Sequence, residues 1–204
     1  MVLSINEQQQ IVEKIKLDFA GLVAQYDSRK YPEAPYLYMR HKFHALPAIS
    51  DEDIRQALIW KYGHWRKTNY PDAHKVIIRK VCQEWSRFVV TTTATVKGDF
   101  DFWTEVLRDH HAFITVCFLV HLLHSDKVAI LDQHNFRAMN HLMRNVRLNW
   151  SGKEAPSKYH DLEDVSYFIR VISDCWSSMP NARTPDQRAI DKYLMVLGQR
   201  LKAK

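Results

Sequence analysis

The stretch Lys127–Met143, KVAILDQHNFRAMNHLM, decides how the rest of the chain is read. An apolar run, Val128 to Leu131, stops at one acidic residue, Asp132. From there apolar residues recur every three to four positions among polar ones, at Phe136, Met139, Leu142 and Met143. That period belongs to an amphipathic helix, here Gln133 to Val146, and an aspartate just ahead of its first turn is a favoured N-cap. Asp132 therefore has two readings, a helix cap or a carboxylate held at the mouth of a pocket.

The same period extends in both directions. Just upstream, Ala112 to His124 is apolar nearly all round and reads as a buried central helix, with Phe100 to Arg108 ahead of it. Ser4 to Tyr26 opens with a serine cap and Glu7, a capping box, and DSRKYPEAPY (27–36) breaks it. Ser50 with Asp51, Glu52 and Asp53 starts a helix that ends near Gly63, and Pro71-Asp72 starts one that runs to about Val90. TTTATVKGDFD (91–101) reads as a polar connector with room for a short extended piece. Asp161 to Met179 and Thr184 to Lys202 complete the set, the last with Thr184 as cap in TPDQ. The expectation is one all-α domain, 1–204, of about eight helices in two lobes that flank a DNA-binding cleft: 50–150 as the core lobe, 1–49 plus 151–204 as the second.

Composition narrows the class. Hydrophobic residues make up 46% of the 204, ample for a sizeable core, while Lys and Arg exceed Asp and Glu to give a net charge of +6 with eleven histidines in reserve. That balance favours a polyanionic partner such as nucleic acid, here DNA. Cys82, Cys117 and Cys175 are too scattered for a disulfide framework or a CxxC site and are expected to be buried thiols. The N-terminal residues do not have the pattern of a secretion signal, and the apolar run 112–123 is too short to span a bilayer, so a cytoplasmic protein is expected.

A buried apolar helix, a short connector, an apolar run and then Asp-x-His at the start of a helix resembles the helix-hairpin-helix (HhH-GPD) superfamily of DNA glycosylases. The matching residues are Asp132, His134 and the later Arg137, and the likeness covers residues 112 to 143. It implies an all-α architecture and a catalytic carboxylate at Asp132. Two departures matter. The family's glycine-rich hairpin, which grips phosphate upstream of the aspartate, has no counterpart, because no glycine lies between Gly98 and Gly152. The Schiff-base lysine of bifunctional members falls near Phe113, and no lysine occurs from Gly98 to Asp126. The resemblance therefore implies a monofunctional enzyme that uses water, with a changed phosphate anchor around Asp109, His110 and His111. No cysteine quartet follows for an iron–sulfur cluster, so neither metal nor cofactor is expected, nor is a protein partner.

Base excision also needs a pocket for an extruded nucleotide. IWKYGHWRKTNY (59–70) interleaves Trp60, Tyr62, His64 and Trp65 with Lys61, Arg66 and Lys67, suited to stacking and phosphate contact. With Phe113 these are the expected base pocket and DNA contacts, and His110, His111, His134, Arg137 and Arg144 complete the DNA-binding set. The plain alternative is that the tryptophans are core and the cations a solvated face. Trp103 and Trp150 read as core, and Arg147 as a further phosphate candidate. The expected function is excision of a damaged or modified base, leaving an abasic site, in repair or in defence against phage; the sequence does not identify the base. Two rivals stand beside it. RDHHAF (108–113) and YHDLED (159–164) echo helical His-Asp metal phosphohydrolases. A noncatalytic helical nucleic-acid binder would use the basic face and ignore Asp132.

Overall fold

The computed structural model describes residues 1–179 and 185–202. Ten α-helices and two 3-10 turns account for the regular structure, with no strand among the described residues. The chain divides into two compact units, 27–128 and the pair of segments 1–26 and 129–204. These bounds differ from the lobes expected at 50–150 and its flanks, and Asp132 belongs to the unit built from the chain's two ends.

The continuous unit holds α3 (Glu33–Phe43), α4 (Asp51–Lys61), α5 (Asp72–Thr91), α6 (Val96–Val106) and α7 (Phe113–Leu123). α7 is the central helix expected from its apolar circumference: Thr115 to Leu122 are all buried, and α3, α4 and α6 pack against it. Its one imidazole is satisfied, because His121 shares hydrogen bonds with Tyr36 Oη at 2.9 Å and the Val128 carbonyl at 2.6 Å. Burying an imidazole without partners would be costly; with both nitrogens engaged the ring packs as core.

Two expectations are corrected here. Residues 33–36, read as part of a break, open α3 (Glu33–Phe43), because Pro35 stands in the first turn, where no backbone N–H is needed, and Tyr36, Met39 and Phe43 line one buried face. Residues 96–99, read as connector or extended chain, open α6, because the Thr95 hydroxyl accepts from the Gly98 N–H at 3.1 Å and caps it.

The other unit holds α1 (Ile5–Lys16), α2 (Phe19–Val23), α8 (Gln133–Val146), α9 (Tyr159–Ser177) and α10 (Gln187–Lys202). The single helix expected over 4–26 is interrupted at Leu17-Asp18; the Asp18 carboxylate accepts from Tyr193 Oη at 3.0 Å. α8 and α10 approach so closely that a Cβ at Gly198 would stand 1.9 Å from the His134 carbonyl oxygen. The expected Thr184 cap lies outside the described residues, but Asp186 accepts from the Ala189 N–H at 2.7 Å, which serves the same end. Cys117 and Cys175 are buried as expected, while Cys82 is partly exposed, and all three are free thiols. Among the described residues no helix is long and apolar enough to cross a membrane.

Candidate functional site

Asp132 is half-buried at the start of α8. Its Oδ1 accepts from the N–H groups of His134 at 2.7 Å and Asn135 at 2.9 Å, while the Asn135 side-chain oxygen accepts from the Asp132 N–H at 2.8 Å. This reciprocal box fixes the carboxylate's orientation and satisfies backbone donors that the first turn leaves open. Oδ2 has no hydrogen-bond partner among the described residues.

Behind the carboxylate runs a buried polar chain. Asn135 is fully buried and its amide donates to Asp191 Oδ1 at 3.1 Å; Asp191 is paired with Arg188, which also donates to Tyr26 Oη at 2.9 Å. His134 lies beside Asp132, and burial holds its imidazole below the ordinary histidine range, with Asp132 opposing and Arg137 reinforcing that shift. Arg137 reaches the Gly198 carbonyl at 3.1 Å. Three residues expected near one another are thus brought together on the first turns of α8: Asp132, His134 and Arg137.

The other expected residues separate into groups. Arg144 is exposed and donates to the Gly152 carbonyl at 2.9 Å, whereas Arg147 is bound by Glu7 and lies over Trp150. The base-pocket aromatics belong to the continuous unit. Trp60 is only 2% exposed, stacked between Tyr36 and Phe118, with its indole N–H donated to the Pro32 carbonyl at 2.9 Å; it is core. Lys61 is buried too, its ammonium 5.4 Å from the Phe118 ring centre. Trp103 is core. Phe113 is half-buried, edge-on to Phe100 at 6.0 Å.

Tyr62 and His64 do cluster, together with two residues further along. The Tyr62 ring stacks on His74 with centres 3.9 Å apart, and its hydroxyl bonds Thr115 Oγ1 at 2.9 Å; burial pushes that phenol up to about 12. His64 Nε2 and His74 Nδ1 are 3.0 Å apart, and Tyr70 stacks on His64. Burial lowers both imidazoles, and for His64 the neighbouring His74, Lys67 and Lys30 lower it further. The backbone folds tightly here: Gly63 has φ +68°, and a Cβ would meet Lys30 Cε at 2.1 Å. Arg66 and Lys67 are exposed on this loop. His110 closes a 3-10 turn and exposed His111 follows it with φ +48°; neither side chain is hydrogen-bonded among the described residues.

Trp65 belongs to a third feature, a groove of about 370 Å³ shared with α3 and α4. Sequence reasoning missed this groove because the start of α3 was read as a break; the signal available was Tyr36, Met39 and Phe43 at helical spacing. A smaller cavity of about 160 Å³ in the other unit includes Trp150, Lys153 and Asp161. Asp132 lines neither of these two.

Among the described residues the donor sets for a metal centre do not assemble. Asp161 is half of the YHDLED motif, and burial opposes its ionisation; N–H groups of Ser157 and Lys158 and the Lys153 ammonium outweigh that and hold it below the usual carboxylate range. Among the described residues no three His, Cys, Asp or Glu side chains group as metal ligands. Compared with known protein families, curated proteins and solved structures, the chain matches none.

Proposed function

We propose that the protein is a monofunctional DNA glycosylase in which Asp132 is the catalytic carboxylate. The observation that carries the reading is the state of that side chain: half-buried, oriented by two backbone N–H groups through one oxygen, and with the other oxygen without a hydrogen-bond partner among the described residues. Cleavage of the C1′–N bond builds positive charge on the sugar, and a fixed carboxylate stabilises it and orients the attacking water. Water's hydroxyl joins C1′, its proton leaves with the base, and an abasic site remains. Exposed Arg144, in the same unit as Asp132, supplies a cation for phosphate. Trp60 and Lys61 are omitted because both are buried.

The test is incubation with a panel of DNAs carrying alkylated, oxidised or hypermodified bases, followed by alkali to reveal abasic sites. Asp132→Asn separates the two readings of the residue, since asparagine caps a helix about as well as aspartate. The thermal midpoint should stay nearly unchanged while base release is lost; base release retained in the variant refutes the catalytic role.

A second reading, a noncatalytic nucleic-acid binder, is favoured by the fact that the capping box by itself accounts for Asp132. Salt-sensitive DNA binding with no abasic product on any substrate would support it. The metal-phosphohydrolase rival draws no support from the donor geometry; activity unchanged in EDTA would count against it.

A further inference from the structure

The groove on α3 and α4 is apolar over most of its wall, and its volume of about 370 Å³ falls in the range of small-molecule sites. Tyr38, Phe43 and Trp65 give it aromatic faces, with Met39 as an adaptable thioether between them. Tyr38 is 59% exposed, a large aromatic side chain that α3 holds out unpacked at this position.

Two polar residues in the wall have unused acceptors. Asp53 Oδ2 accepts from the Ser50 N–H at 2.9 Å and the Ser50 hydroxyl at 2.6 Å, while Oδ1 has no hydrogen-bond partner among the described residues. Burial works against ionisation of Asp53, but the Ser50 hydrogen bonds and the Lys42 charge prevail and hold it below the ordinary aspartate range. Lys42 Nζ stands 4.0 Å from Oδ2, beyond hydrogen-bond reach, so the carboxylate is only loosely neutralised. The Gln56 amide donates to Glu52 at 2.6 Å and leaves its oxygen without a donor among the described residues.

We propose that this groove binds a small planar aromatic molecule carrying N–H donors, an arylamine or arylamidine, stacked on Tyr38 and Trp65 with its donors on Asp53 and Gln56. Aromatic walls select a flat ring system, and an ionised acceptor beside an amide oxygen selects donors over a second anion. The site stands independently of Asp132 and of glycosidic chemistry.

Calorimetric titration of the 204-residue chain tests it with three probes: benzamidine, 2-naphthamidine and 2-naphthoate. The naphthamidine should bind saturably and more tightly than benzamidine, with naphthoate, of the same ring area and opposite charge, much weaker. Ala34→Trp fills the groove from an exposed helical position, and Asp53→Asn keeps an acceptor for the cap while removing the charge. Each should weaken naphthamidine by about tenfold or more, as expected for loss of a charged hydrogen bond or of the stacking space, with thermal midpoints close to wild type. Absence of saturable amidine binding, equal binding of naphthoate, or amidine affinity untouched by both variants would each overturn the proposal. Base release by the same preparations reads the other proposal separately.

Discussion

Asn135 rather than Asp132 is the residue whose loss the fold should feel most at the start of α8. It is fully buried and engages the Asp132 N–H, the Ile130 carbonyl and the Asp191 carboxylate at once. Asn135→Leu removes one hydrogen bond from each, Asp191 keeping its Arg188 pair, and a buried group left unpaired costs about 1–3 kcal/mol, so urea denaturation should show a loss well above that of Asp132→Asn. Two glycines make a sharper comparison. Gly198→Ala would gain helix propensity of about 1 kcal/mol, yet the new methyl meets the His134 backbone at 1.9 Å, which cannot swing aside. Overpacking of about 1–3 kcal/mol should win, and the thermal midpoint should fall. Gly21 lies in α2 with nothing within 4 Å of a built Cβ, so Gly21→Ala should raise the midpoint through propensity alone.

The segment from Gly63 to α5 behaves as one element because two imidazoles tie it together. Both His64 and His74 are held below the ordinary histidine range, chiefly by burial, so the fold prefers their neutral forms. The unfolded chain then binds more protons at low pH, and stability rises with pH through this window. The contribution should be present above about 6.5 and be lost as pH falls towards the lowered folded values. His74→Gln should flatten that dependence in denaturation curves at pH 5 and pH 7. The same segment shows how far pattern reading reaches. Its aromatic and basic composition was visible in the sequence, yet nothing local separates Trp60, which ends up sealed among Tyr36 and Phe118, from Trp65, which lines a groove. α3 was missed for a different reason: two prolines and a charged run suggest a break, and only the packing of Tyr36, Met39 and Phe43 reveals the helix.

The continuous unit, 27–128, has its own core around α7, so expressed alone it should give a helical spectrum and a cooperative thermal transition; a flat, gradual melt would refute that. The net charge of +6 predicts that any DNA affinity falls steeply with added salt, with Lys67→Glu lowering both the affinity and the salt slope by about one counterion's worth. Charge, all-helical class, the buried α7 and the capping of α8 by Asp132 were determined by the sequence itself, because hydrophobic period and cap chemistry act within a few residues of each other. Which aromatic residues became core and which line a groove was decided by the tertiary structure alone. So were the pairing of His64 with His74 and the buried chain from Asn135 to Tyr26. Each depends on side chains from different elements meeting at ångström distances, which no local periodicity encodes.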